Sequence, residues 1–246
     1  MTEGGQQLCG LFGKVPQQGD FVQLHLPESF VETWHSWLQA ALTITQEQLD
    51  EHWLELYLTS PVWRFALAPG VCGQQAAMGV LIPSVDEVGR YYPLCLAVSG
   101  AYPVWAAYLN GSDWYAQAEA VAVSALREDC GYMALVEQLE ALPLPELPAS
   151  PRYTTQPPFH GMDRGWVIED APDLAGNDIA LALLDRAYNR WLGAYSLWWT
   201  DGSERIDPCL LVAPGLPETG QMAAMLDGDW AHWGWGQEQR EEAEAS

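Results

Sequence analysis

The sequence predicts an α/β protein: a mixed, largely antiparallel sheet covered by helices in αβα layers, with a smaller carboxyl-terminal α/β lobe. Apolar runs at 62–67, 76–82 and 91–98, punctuated by Gly and Pro, have the length and composition of buried strands. By contrast, Phe30, Trp34, Trp37, Leu38 and Ala41 fall at i, i+4, i+7, i+8 and i+11, the stripe of an amphipathic helix. Helical patterns stand before, between and after the strand runs, which places helices over a sheet.

Taken in order, residues 8–15 read as a first strand, broken by Gly10 and Gly13 and stopped by Pro16. A polar turn at 17–20 leads into the short run 21–24. One helix covers 27–42, and a second starts at Thr45, with Gln48 in the capping-box position, and continues to Pro61. Pro93 cannot donate to a ladder, so the strand at 91–98 is expected at an edge or bulged near its start. The runs around the 83–90 loop pair most simply as antiparallel neighbours. Residues 113–127 and 130–141 are helices rich in Ala, Leu and Val. Prolines at 143, 145, 148, 151, 157 and 158 then exclude helix and favour an extended connection.

The chain therefore divides into a first domain at 1–142, a proline-rich connection at 143–160, a second lobe at 161–236 packed on the first, and a tail at 237–246. In the second lobe, 165–169 is a strand candidate. Residues 178–192 form a helix with Ile179, Ala182, Leu183 and Ala187 along one stripe. Strands follow at 195–200 and 208–213, then a short helix at 219–226. The charged tail is expected to be disordered.

The 246 residues carry 33 Asp and Glu against 10 Lys and Arg, a formal charge of -23. Such a surface repels phosphate backbones and anionic headgroups, which argues against nucleic-acid and peripheral-membrane partners and leaves basic proteins as partners. No apolar run reaches the roughly 18 residues of a membrane-spanning helix. Residues 1–7 lack both a basic residue and an apolar core, so they do not read as a secretory signal, and a cytoplasmic location is expected. Cysteines at 9, 72, 95, 130 and 209 form no Cys-x-x-Cys pair and sit in apolar surroundings, which reads as buried free thiols.

The search for chemistry starts at Lys14, the only lysine, in the stretch Gly10-Leu11-Phe12-Gly13-Lys14-Val15-Pro16. A phosphate loop would need glycine at position 8, where Leu8 stands, and a hydroxyl at position 15, where Val15 stands. Pro16 further removes a backbone donor. A glycine-kinked strand whose lysine pairs with a carboxylate such as Asp20 is the better reading. Ser84 and Asp86 share one loop, but no nucleophile elbow surrounds Ser84. None of the histidines at 25, 35, 52, 160 and 232 has a recognisable catalytic setting. Asp86 instead pairs with Arg90 across a turn that Gly89 permits. No histidine pair has helical zinc spacing, so neither a metal nor another cofactor is expected. Lys14, Asp20, Asp86 and Arg90 thus form either a polar network that fixes the fold or part of a contact surface. Trp198 and Trp199 are consecutive on a strand and must face opposite ways. A bare face there would make one of them a partner-facing aromatic, and a covered one makes both core.

Three motifs carry a family resemblance: 10–21, 61–67 and 83–94, the last with the sequence Pro83-Ser84-Val85-Asp86-Glu87-Val88-Gly89-Arg90-Tyr91-Tyr92-Pro93-Leu94. With them the chain resembles the TagF/ImpM family of accessory proteins of bacterial type VI secretion systems. Ser196-Leu197-Trp198-Trp199-Thr200 and Gly215-Leu216-Pro217 extend the likeness towards the carboxyl end. Glu87 departs from the basic residue that the family often has. The resemblance implies a cytoplasmic, non-enzymatic regulator that represses the secretion machine after translation, acting through its forkhead-associated scaffold protein. Two other readings stand beside it: a hydrolase or phosphate-handling enzyme using the 10–20 and 83–90 loops, and an oligomeric structural component of the apparatus.

Overall fold

The computed structural model describes residues 8–127, 129–148 and 176–236. Its strands are β1 (Gly10–Gly13), β2 (Val22–Leu24), β3 (Trp63–Leu67), β4 (Ala76–Ile82), β5 (Leu94–Gly100), β6 (Tyr195–Thr200) and β7 (Cys209–Pro214). They form one seven-stranded sheet in the order β2-β1-β5-β4-β3-β6-β7. Every pairing is antiparallel. The strands expected in the carboxyl-terminal lobe, β6 and β7, continue this sheet through the pairing of Trp198 with Phe65.

Alternate strand residues face opposite ways, so two apolar layers are needed to cover them. On one face α1 (Glu28–Leu49) lays Phe30, Trp34, Trp37 and Leu38 over Phe65, Leu67, Ala97 and Trp198. The other face carries α3 (Val104–Asn110), α4 (Ser112–Ser124) and α6 (Gly176–Leu192), with α5 (Tyr132–Glu140) packed on α4. There Trp114, Tyr115, Ala118 and Leu181 meet Met78, Val80, Leu96 and Trp199. A side chain as fully buried as Phe65 contributes roughly 1.5–3 kcal/mol relative to exposure. Two short helices, α2 (Trp53–Leu58) and α7 (Ala224–Asp227), close the α1 side.

Several local expectations need correction. No helix starts at Thr45: α1 runs on through it, and the Thr45 hydroxyl, instead of capping a new helix, bonds back to Leu42 O at 3.1 Å inside the same one. The break comes at Asp50, whose φ is 42°, followed by a 3-10 turn at Asp50–His52. β5 is neither an edge strand nor bulged; it lies between β1 and β4 and starts just after Pro93, which thereby avoids the ladder. Along α6 the buried positions are Leu181 and Ala182, while Leu183 is 38% exposed and Ala187 faces solvent. Asp185 takes the next inward place, accepting bonds from Tyr195 Oη and from Val104 N at 3.1 Å, so a carboxylate caps α3 from a neighbouring helix. The helix α3 itself has no counterpart among the sequence expectations. The strand candidate at 165–169 and the tail at 237–246 lie outside the described residues.

Candidate functional site

The loops 14–21 and 83–93 leave the sheet at the same end, because Phe12 pairs with Cys95 and Ile82 with Leu94. Gly13 brings them together. Its φ is +144°, and a Cβ there would stand 2.2 Å from Pro93 O, so the backbone of β1 closes on the start of β5 only with glycine. Gly89, with φ +85°, likewise lets the second loop reverse tightly.

Lys14 and Asp86 form an ion pair between side chains only 6% and 0% exposed. Arg90 Nε donates to the same Asp86 oxygen, Oδ2, at 2.6 Å. The other oxygen, Oδ1, accepts from the backbone N–H groups of Arg90 at 2.7 Å and Val88 at 3.1 Å. Arg90 also reaches across to Gly19 O and so ties the two loops. Desolvation works to raise the Asp86 carboxyl, but the hydrogen bonds from Lys14 and from the Arg90 backbone and guanidinium outweigh it and hold the group below the usual carboxylate range. A buried pair of this kind survives because its charges are mutually satisfied.

Ser84 is consumed in the same way. Its Oγ donates to Lys14 O at 2.7 Å, and its backbone N–H donates to Tyr57 Oη at 2.9 Å. Tyr57 Oη in turn donates to Ser84 O at 2.8 Å. No described histidine touches Ser84 or Asp86: His35 meets Tyr92 Oη at 3.0 Å, His25 meets Glu140, His52 meets Glu51 and His232 meets Trp233 edge to face. His160 lies outside the described residues. Asp20 is exposed and holds no hydrogen bond or ion pair among the described residues; the partner of Lys14 is Asp86. Around the node, Phe21 lies 4.8 Å from the Lys14 ammonium and stacks on Phe12 at 5.6 Å.

Trp198 and Trp199 are placed in the two core layers. Trp198 is fully buried against Trp34, Trp37 and Phe65, with its Nε1 donating to Ser196 Oγ at 2.9 Å. Trp199 is 7% exposed and meets Tyr108 and Tyr115 edge-on. Helices cover both faces of this strand, so of the two alternatives the core one holds for both indoles and the partner-facing one is corrected: neither offers free surface. Among the described residues the exposed tryptophan is Trp191 in the last turn of α6, 77% exposed, which the stripe assigned from sequence passed over.

Nothing else among the described residues gathers reactive groups. No cluster of His, Cys, Asp and Glu there could hold a metal ion, and no helix is long and apolar enough to cross a membrane. All five cysteines are free, and burial pushes the Cys9 and Cys72 thiols up to about 12. The cavity beneath the hairpin end, lined by Leu38, Tyr57, Trp63 and Met225, measures about 50 Å³. Small-molecule sites usually measure about 300–1,000 Å³.

The comparisons with known proteins agree on one family. The model of the TagF N-terminal domain, described as type VI secretion system-associated, matches residues 10–142. The crystal structure of PA0076 from Pseudomonas aeruginosa PAO1 is 32% identical, covers 89% of this chain and 94% of its own, and superposes with a TM-score of 0.77. No curated protein matches significantly. With more than half of its length under the family model and 89% of it covered by that structure at 32% identity, the chain belongs to the TagF family of type VI secretion system-associated proteins.

Proposed function

We propose that this protein is a non-enzymatic, post-translational repressor of a type VI secretion system that works in the cytoplasm by binding the forkhead-associated scaffold protein of the apparatus. Membership in the family supports a role in that system. The observation that carries the choice of binding over catalysis is the fate of the reactive-looking side chains on the two loops. Ser84 Oγ, Lys14 and Asp86 are spent on one another and on the backbone. A hydrolase built on these loops needs a histidine within reach of Ser84 and Asp86, and the described histidines lie elsewhere.

Repression then follows from differential affinity: a scaffold held in one arrangement by this protein is withdrawn from assembly in proportion to how much more tightly that arrangement is bound. Titration calorimetry of the purified chain against the purified scaffold tests the reading. Saturable binding is expected, together with raised secretion in cells that lack the protein and restored repression when it is resupplied. Absence of binding heat, or secretion indifferent to the protein, sinks it. Turnover of an ester or phosphate substrate that disappears in a folded Ser84→Ala variant points to the enzyme instead, and a stable high-order ring in sedimentation to the structural component.

A further inference from the structure

We infer that the outer edge of β7 is a docking groove for an extended, aliphatic and basic segment of a partner protein, which adds to the sheet as a further strand. The inference deepens the binding reading above and rests on it only in taking the protein to work by holding another chain.

Strand β7 ends the sheet order, paired on one side with β6. Its outward backbone groups have no partner among the described residues, which makes them a template for strand addition. Beside this edge runs an open groove of about 510 Å³. Its floor is Cys209, Leu210, Leu211 and Val212. One wall is Tyr188, Trp191 and Leu192 of α6, the other Trp230 and Trp235 of the segment after α7.

The two walls continue the two core layers. Leu210 and Val212 pack with the α6 layer, whereas Cys209 and Leu211 belong to the α1 layer together with Trp230 and Trp235. A strand laid along β7 would therefore send alternate side chains to Trp191 on one face and to Trp230 and Trp235 on the other, so both of its faces meet apolar and aromatic surface. Trp191, 77% exposed at the lip of this groove, has the character of an interface anchor. Six residues at about 3.4 Å each would match the length of β7.

Charge selects the occupant. The groove lining carries no charged residue; exposed Asp229 and Arg190 adjoin lining residues in sequence, and Asp207 lies two positions before Cys209, on a chain of formal charge -23. Asp207 acts electrostatically on Cys209. A second copy would bring one chain of formal charge -23 against another. A segment with alternating aliphatic side chains and flanking Lys or Arg meets both the walls and the charge of the chain.

The probe is a phage-displayed library of random octapeptides selected on the immobilised full-length chain. Enrichment of alternating aliphatic residues flanked by Lys or Arg is expected. The synthesised winner should slow hydrogen exchange at amides of residues 210–212, and it should bind at least tenfold more weakly when N-methylated at alternate residues or when Trp191 is replaced by Glu. Four results overturn the proposal. These are N-methylated peptide binding as well as the parent, affinity unaffected by Trp191→Glu, outward β7 amides already protected in the isolated monomer because the chain's own sequence fills the edge, and a dimer that the peptide dissociates.

Scaffold capture separates this inference from the reading beneath it. If Trp191→Glu captures the scaffold as well as the wild type while Val88→Glu on the hairpin end does not, the groove is overturned and the regulator stands. If the wild type captures no scaffold yet selects peptides as described, the groove stands and the regulator falls.

Discussion

At the end of the sheet where β1, β4 and β5 meet, both carboxylate oxygens of Asp86 are engaged and Lys14 is almost wholly buried, whereas along β7 a row of backbone groups has no partner among the described residues and the indole of Trp191 is exposed. The first region is closed: its polar atoms find partners within the chain, so a substitution there acts on the fold. The second is open, and a substitution there has little folded structure to disturb. Residues that look chemical in a sequence can thus be architecture, while the surface we propose for binding is lined mainly by aliphatic and aromatic side chains. The predictions test how far this contrast holds.

The largest effect is expected for Asp86→Ala. It leaves the Lys14 ammonium buried without its counter-ion, and removing one member of such a pair costs about 3–5 kcal/mol. A urea-unfolding midpoint should fall accordingly, and the double variant Lys14→Met/Asp86→Leu should recover much of the loss, because it removes both charges. An unchanged midpoint in Asp86→Ala would show that the node is looser than its geometry.

Acid should erode the same region. The folded-state value of Asp86 is depressed, so its contribution is complete above the unfolded carboxylate value of about 3.9 and is lost as pH falls from there towards the folded value. Stability measured from pH 6 to pH 2 should drop by on the order of 2 kcal/mol more in the wild type than in Asp86→Asn. Parallel curves would assign acid sensitivity to other carboxylates.

The smallest effect closes the comparison. Trp191→Glu should shift stability by no more than about 0.5 kcal/mol, as expected for a 77% exposed side chain whose ring contact is Tyr188 on the same helix, whatever it does to peptide binding. A larger loss would place Trp191 in the fold and blur the distinction between the two regions.

Local signals were the legible ones. The pairing of Asp86 with Arg90 is an i, i+4 contact inside one loop and can be read from residue types alone. The partner of Lys14 could not, since Asp86 lies 72 positions away and only the docking of β1 on β5 joins them; a nearby carboxylate, Asp20, was the natural but incorrect choice. The stripe of α6 misled for a different reason. A partly buried carboxylate, Asp185, occupies an inward position by bonding Tyr195 and the start of α3, so apolar periodicity rotated the helix and hid the exposure of Trp191. Helix α3, a seven-residue run of mostly apolar residues, has too little polar contrast for any period to show. Trp198 and Trp199 were ambiguous until the helices over each face were known.

Gly13 couples two kinds of constraint that are usually separate. A methyl group at that position would meet Pro93 O at 2.2 Å and push β1 away from β5. The displacement would draw the Lys14 ammonium out of reach of Asp86, so a purely steric defect would be felt as a buried, uncompensated charge. One absent carbon atom thereby sets the electrostatics of the whole hairpin end.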